Sequence, residues 1–339
     1  MTRPSSGPTS IGAPLAPATI FNGYVGAHVI YALDQLGVWD ELLNGPVSMS
    51  VLCAQHNADR ARLQALLDSA AILGQVEIHG ELVSLAPAST DLIRNRGFFT
   101  WAVGGYSDLL QEMAALTTGR KRWGQEVNRD EAMVAAGAAD VGEALMTSVE
   151  ADVLNGVDFT SVADVGCGDG SRLIRLCQRE QPRLGVGIDI SEAACKLAVK
   201  RVSDAGLSSH ITIACENIFH SGNRAAFPGI DLVSSFMMLH DLFAAYRNGS
   251  EVMRALRFAF PDTRYFLLAD TNAYPWHQST GRLPIFSLQF ELVHAFMNVP
   301  IRPKELYEET FVKAGLRIER CEPLGVPSTW LYLLSVPPT

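Results

Sequence analysis

Ser161-Val-Ala-Asp164-Val-Gly166-Cys-Gly168-Asp-Gly170-Ser171 is the stretch whose reading decides the fold. An apolar strand runs into three alternating glycines, and a helical pattern carrying Leu173, Ile174 and Leu176 follows at once. Glycines there remove side chains, so a ligand can approach the backbone at a helix N-terminus. The next strand, Gly185–Ile190, ends around Asp189, where a carboxylate can accept hydrogen bonds from both hydroxyls of a ribose. A lone Gly-x-Gly is often a structural turn. Strand, glycines, helix, strand and terminal acid in one unit point instead to a nucleoside site.

The same texture continues outward. A helix to Ala205, strands Ile211–Cys215 and Asp231–Leu239, a helix to Phe260 and a strand Tyr265–Asp270 alternate with short connections. That alternation predicts an α/β domain over 156–339, a doubly wound, mainly parallel sheet covered on both faces. The dinucleotide fingerprint needs its third glycine at 171, but Ser171 stands there and the third glycine comes one residue early. The Asp164-x-Gly166-x-Gly168-x-Gly170 pattern instead resembles motif I of S-adenosylmethionine-dependent methyltransferases, which implies a Rossmann-like fold and that cofactor. By this resemblance Asp164, Gly166 and Gly168 hold the methionine end and Asp189 the ribose. Asn217 falls where the superfamily contacts adenine, often with Asp, and Ile190, Ile218 and Phe236 complete the implied cofactor site.

Before residue 156 the chain reads differently. Residues 1–18 hold four prolines among Ser, Thr and Gly and read as a flexible tail. In the 19–155 domain, an apolar pattern at helical spacing runs from Ala18 to about Leu43. A helix from Ser48, a leucine-rich helix through Leu63–Leu73 and a hairpin over Val76–Val83 follow. Helix, helix and two-stranded wing is the order of a winged helix. A DNA-reading helix needs clustered cations, yet Asn57–Ser69 has only Arg60 and Arg62, offset by Asp59 and Asp68, so packing and dimerisation is the favoured reading. Phe98 to Leu154 is mostly helical, broken by a basic loop at Arg120–Arg122.

The net charge of −9 argues against a protein whose business is binding nucleic acid. Hydrophobic residues at 48% against 19% charged allow a sizeable core. The stretches Phe98–Val103 and Phe286–Met297 are too short or too interrupted to span a membrane, and the N-terminus lacks a secretory apolar core. Six scattered cysteines without a CxxC pair suit a reducing compartment, so a cytoplasmic enzyme is expected.

Two histidines carry the candidate chemistry. His240-Asp241 follows the fourth strand, on the ligand side of such a sheet, and Glu291 and His294 share one face of a helix over Leu283–Met297. A histidine on an apolar helix is more often a hydrogen-bonded core residue than a ligand. Trp101, Arg129-Asp130, Phe236–Asp241, Phe258–Pro261, Arg264–Asp270, Leu283–Leu288 and Phe290–His294 together resemble the α-keto acid C-methyltransferases of the phenylpyruvate C3-methyltransferase type. More broadly the chain is similar to the dimeric small-molecule O-methyltransferases, whose histidine acts as general base.

The resemblance implies that His240 and His294 bind one metal ion, Fe or Zn. A 2-oxo acid substrate would chelate it, its enolate being stabilised by the metal before the enolate carbon attacks the sulfonium methyl. Asp241 would orient a water or an imidazole, or take the proton. Arg129 would meet the substrate carboxylate, and Trp101, Met237, Phe286 and Phe290 would wall an apolar pocket suited to 4-methyl-2-oxopentanoate or phenylpyruvate. A guanidino side chain would need a carboxylate with no evident place. The product would be a β-methyl amino acid precursor for natural-product biosynthesis, and the enzyme a homodimer through its N-terminal domain. Two other readings stay open: metal-independent O-methylation with His240 as base, and a non-catalytic S-adenosylmethionine-binding or winged-helix interaction protein.

Overall fold

The computed structural model describes residues 14–178, 182–219, 227–246, 249–275 and 283–337. Its packing forms two units, residues 14–145 with 283, and residues 146–275 with 284–337.

The first unit opens with α1 (Pro17–Gln35). Proline suits a first helical position, whose N–H has no intrahelical partner, so the helix begins inside the stretch expected as tail. Residues 1–13 of that tail lie outside the described residues. Gly26, Val29, Ile30 and Leu33 turn inward, while Ile20, Phe21, Tyr24 and Val25 are exposed. α2 (Val38–Leu43) buries Trp39, whose Nε1–H donates to the Ile30 carbonyl at 3.1 Å. After β1 (Val47–Ser48), the Ser48 hydroxyl caps α3 (Met49–Gln55) and the Asp59 carboxylate caps α4 (Arg60–Ile72). β2 (Val76–His79) and β3 (Leu82–Leu85) form the hairpin, in an antiparallel sheet of order β1-β3-β2. Arg60, one of the two cations of α4, pairs with Glu81 of the hairpin turn at 2.6 Å.

α5 (Ser89–Phe99) passes through a π-helical turn (Thr100–Gly105) into α6 (Ser107–Thr117), and Asp130 caps α7 (Glu131–Val141). α5 and α7 cross at Gly97 and Gly137. A Cβ on Gly137 would stand 2.6 Å from the Gly97 carbonyl oxygen, so only hydrogen fits at that crossing.

A second π-helical turn (Gly142–Met146) leads to α8 (Thr147–Val153). α8 packs with the second unit: buried Glu150 binds Arg175, and Arg320 binds Asp152. The units therefore divide at Leu145, upstream of the change in sequence texture near Asn155. Among the described residues, the run Glu131–Val153 is long and apolar enough by length and composition to cross a membrane, with mean hydropathy 1.2. Two helices joined by a π turn make up this run.

The second unit is built on seven strands: β4 (Ser161–Val165), β5 (Leu184–Asp189), β6 (Ile211–Cys215), β7 (Leu232–Phe236), β8 (Tyr265–Thr271), β9 (Arg317–Pro323) and β10 (Thr329–Ser335). Their order is β6-β5-β4-β7-β8-β10-β9. The first five are parallel, and β10 is antiparallel to both β8 and β9. α9 (Ser171–Cys177), α10 (Glu192–Asp204), α11 (Leu239–Ala245), α12 (Gly249–Ala259), α13 (Ser287–Phe296) and α14 (Lys304–Lys313) complete it. This is the expected Rossmann-like architecture. The strand order reverses between β5 and β7, on either side of β4, and such a reversal opens a crevice at the carboxyl ends of the strands. Val233, Phe243, Leu256, Phe266, Tyr307, Phe311 and Tyr332 belong to the core of this unit.

The strand expected to reach Leu239 stops at Phe236. Met237 takes a positive φ of 56°, its N–H donates to the Ala269 carbonyl, and the chain turns into α11. His240 thus rides on the first turn of a helix. The single helix expected to Phe260 is two, α11 and α12. The helix expected from Leu283 begins at Ser287, after Phe286 with a φ of 74°. The antiparallel pair β9–β10 has no counterpart in the sequence reading.

Candidate active site

The glycine loop and Asp189 are tied directly together. Gly168 N–H donates to Asp189 Oδ2 at 2.9 Å, and Ser191 N–H donates to Oδ1 at 2.9 Å. Gly166 has a φ of 77°, a left-handed conformation that favours glycine, and the Met238 side chain lies over it. Ile190 is 72% exposed beside Asp189. Asn217 is exposed, and its Oδ1 accepts the Phe219 N–H at 2.9 Å, a local turn that engages the oxygen. Ile218 packs against the core of this unit.

Asp164 is buried at the end of β4. It accepts from Ser234 Oγ at 3.1 Å and is ion-paired with Arg172, whose guanidinium carbon lies 3.6 Å from the Phe236 ring centroid. Burial pushes the Asp164 carboxyl up, and Arg172 and Ser234 pull it back only in part.

At the end of β8 a second acid organises the histidines. Asp270 is fully buried, and its Oδ1 accepts from His240 Nδ1 at 2.6 Å. It accepts also from the His240 and Thr271 backbone N–H groups, at 2.6 and 2.8 Å, and from the Tyr307 hydroxyl at 3.3 Å. Burial, and then the Asp270 carboxylate, push the Tyr307 phenol well above its ordinary value, so it remains a donor.

His294 Nδ1 is 2.7 Å from the Phe290 carbonyl oxygen, which can only accept, so this nitrogen carries the proton. His240 Nδ1, as the donor to Asp270 Oδ1, does the same. In both neutral rings the lone pair is then on Nε2. The ring centroids stand 4.7 Å apart at 89°, and Phe290 packs against each ring. Asp241 Oδ2 lies 3.7 Å from His240 Nε2.

Two neutral imidazoles, each turned by a hydrogen bond on its other nitrogen, suit a transition-metal ion by donor chemistry. Among the described residues no group of three or more His, Cys, Asp or Glu forms a metal cluster, so substrate oxygens or water would complete such a sphere.

Orientation of His240, one of the roles open to Asp241, is performed by Asp270. Glu291 accepts the Tyr274 N–H at 2.7 Å. The Phe286 and Phe290 rings meet at 4.9 Å, tilted by 44°. Trp101 and Arg129 belong to the first unit, where both meet Tyr106: the Trp101 and Tyr106 rings are 4.4 Å apart, and Arg129 Nη1 donates to the Tyr106 hydroxyl at 3.2 Å. Sequence reasoning did not single out Asp270, Tyr307 or Arg172. An acid near the end of an apolar strand, the signal that marked Asp189, marks Asp270 equally well.

Residues 162–258 match the family model described as a methyltransferase domain. Over 327 residues the chain is 26% identical to indolepyruvate C-methyltransferase of Streptomyces griseus, covering 95% of each. It is 27% identical over 310 residues to methyltransferase ungE' of Aspergillus campestris, covering 88% of this chain and 90% of that one. The solved structure of mitomycin 7-O-methyltransferase superposes with a TM-score of 0.64 at 18% identity, covering 94% of this chain and 96% of the other. That likeness shows the fold, a Rossmann-like methyltransferase sheet with an N-terminal helical domain.

Proposed function

We propose that this S-adenosylmethionine-dependent methyltransferase transfers its methyl group to the β-carbon of a 2-oxo acid. The observation that carries the reading is the pair of buried imidazoles, 4.7 Å apart, with both Nδ1 positions engaged. The likeness to an indolepyruvate C-methyltransferase along nearly the whole chain supports it.

In this reading His240 and His294 hold an Fe or Zn ion, which supplies Lewis acidity toward a keto oxygen. Asp270 keeps His240 in the required tautomer. Asp241, 3.7 Å from His240 Nε2, accepts the proton from the carbon next to the keto group. That carbon attacks the sulfonium methyl in line, the carbon–sulfur bond breaks, and S-adenosylhomocysteine leaves. Asp164, Gly166, Gly168, Asp189, Ile190, Asn217, Ile218 and Phe236 form the cofactor site. Met237, Phe286 and Phe290 favour an aliphatic or aromatic substrate.

The test is incubation with S-adenosylmethionine and a panel including 4-methyl-2-oxopentanoate, phenylpyruvate and indolepyruvate, with proton NMR of the products. A new methyl doublet on the β-carbon is expected, and methylation of oxygen alone would overturn the reading. Purified protein should carry about one Fe or Zn per chain, lost in His240→Ala or His294→Ala. Full activity after exhaustive chelation would remove the metal.

O-methylation with His240 as general base is the second reading. The Asp270–His240 bond favours it, because a carboxylate on Nδ1 is also how a basic imidazole is held.

For the first unit we propose a winged helix that packs rather than reads DNA. The exposed Ile20, Phe21, Tyr24 and Val25 of α1 would form a self-association face in a cytoplasmic homodimer. A monomeric mass by light scattering would refute the dimer.

A further inference from the structure

β5 ends at Asp189 between two thiols. Cys215, the last residue of β6, lies directly opposite Asp189 in the parallel register. Cys195, one turn into α10, has its sulfur 3.5 Å from the Asp189 carbonyl oxygen, which also accepts the Glu216 N–H at 3.0 Å. Both cysteines are free, and Cys215 alone of the six is exposed, whereas Cys195 is buried. Burial, and then the Cys215 thiol beside it, push the Cys195 thiol up to about 11, so it stays protonated at neutral pH.

An exposed thiol backed by a buried one is an arrangement in which oxidation outside can be captured inside. A peroxide arriving from solvent meets Cys215 first. Attack of that sulfur breaks the O–O bond and leaves a sulfenic acid on Cys215, with one water released. The Cys195 sulfur then displaces the hydroxyl, which leaves with the Cys195 proton as a second water. Two thiols have lost two electrons, and the peroxide has gained them. We propose that Cys195 and Cys215 are a redox modification site for peroxides, closing a reversible disulfide between α10 and β6 that weakens cofactor binding; the effect on binding rests on the reading of Asp189 as the ribose acid.

The bond acts on Asp189 through its own contacts. It removes the S–H that the Asp189 carbonyl accepts and brings the two sulfurs to about 2.05 Å, drawing the start of α10 toward β6. Ser191, which caps α10 and whose backbone N–H donates to Asp189 Oδ1, moves with it. The carboxylate is thereby shifted from the position in which Gly168 N–H holds Oδ2. A small thiol reopens the bond by exchange.

Peroxide treatment of the full chain, followed by non-reducing peptide mapping by mass spectrometry, tests the site. One disulfide joining Cys195 to Cys215 is expected, with a mass loss of about 2 Da that dithiothreitol reverses. By calorimetry, S-adenosylmethionine should bind about tenfold more weakly to the oxidised protein, and reduction should restore the affinity. Cys215→Ser should form no such bond and keep its affinity through the same treatment. A stable sulfinic acid on Cys215, or a bond to another cysteine, would overturn the site. A Cys195–Cys215 bond that leaves affinity unchanged would overturn its effect on the cofactor. Reduced protein that binds no S-adenosylmethionine would sink the cofactor reading and that effect together, while the peptide map still decides the bond. Should Cys215→Ser fail to fold, oxidised and reduced wild type decide alone.

Discussion

Asp164 and Asp270 occupy equivalent places on two strands of one sheet. Each is the last residue but one of its strand, β4 or β8, each is buried, and only β7 separates the two strands. Their surroundings differ in completeness. Asp270 gathers four donors, two of them backbone N–H groups, and both of its oxygens are engaged. Asp164 has Oδ1 engaged by Ser234 and Arg172 and, among the described residues, nothing on Oδ2. The first is a finished device, whose partner is a side chain of the protein. The second is left open on one side.

Asp270→Asn would break this contrast most sharply. It keeps the shape but can turn an N–H toward His240 Nδ1 and reverse the tautomer, so kcat should fall by about three to four orders of magnitude in the methyl-transfer assay. Circular dichroism would check that the fold survives. Asp164→Asn, at the open site, should act on affinity instead. S-adenosylmethionine binding should weaken about tenfold by calorimetry, while kcat at saturating cofactor changes by less than about threefold. An equal loss of kcat in both variants would erase the distinction.

Tyr307→Phe removes one of four donors from Asp270 and should cost about 1 kcal/mol of stability by urea unfolding. Because the phenol is held well above its ordinary value, the pH–rate profile should have no limb that this variant removes.

The smallest effect belongs to a third acid. Burial alone would raise Asp231, but the Thr160 backbone N–H and hydroxyl, and then Arg264, bring it below its ordinary value. A depressed folded value stabilises the protein above the ordinary carboxyl range, and that contribution disappears as pH falls through the depressed value. Melting temperatures against pH should therefore show a shallower acid limb in Asp231→Asn, by no more than about 1 kcal/mol. Asp164, raised by burial, acts in the opposite sense: its contribution is present below the ordinary carboxyl value and lost as pH rises through the raised one.

What the sequence revealed follows the same divide between local and distant partners. β4, the glycine turn and the acid closing β5 were legible because a strand running into a glycine turn and a helix fixes residue types over a short, continuous stretch. β6 was legible to the residue for the related reason that a parallel strand is a compact apolar run between turns. The Asp270–His240 bond joins residues thirty positions apart, and nothing in the local pattern of either names the other. Arg172 reads in sequence as an ordinary solvated helix residue, and only the fold shows its guanidinium over Phe236. β9 carries Arg317, Glu319, Arg320 and Glu322 in a strand of mixed burial, and a charged edge strand of that kind has no clear periodic signature. The break at Met237 depends on a backbone conformation that a methionine does not advertise.

The pairing of β10 has a consequence for the order in which the molecule is made. Trp330 lies opposite Asp270, and Thr329–Ser335 covers the whole flank of β8. While the chain is being synthesised, β8 remains an open edge until β10 has left the ribosome, long after the glycine loop has emerged. The loop can assemble early on the nascent chain, whereas the strand that presents the orienting acid gains its second neighbour only after α13, α14 and β9 have been made.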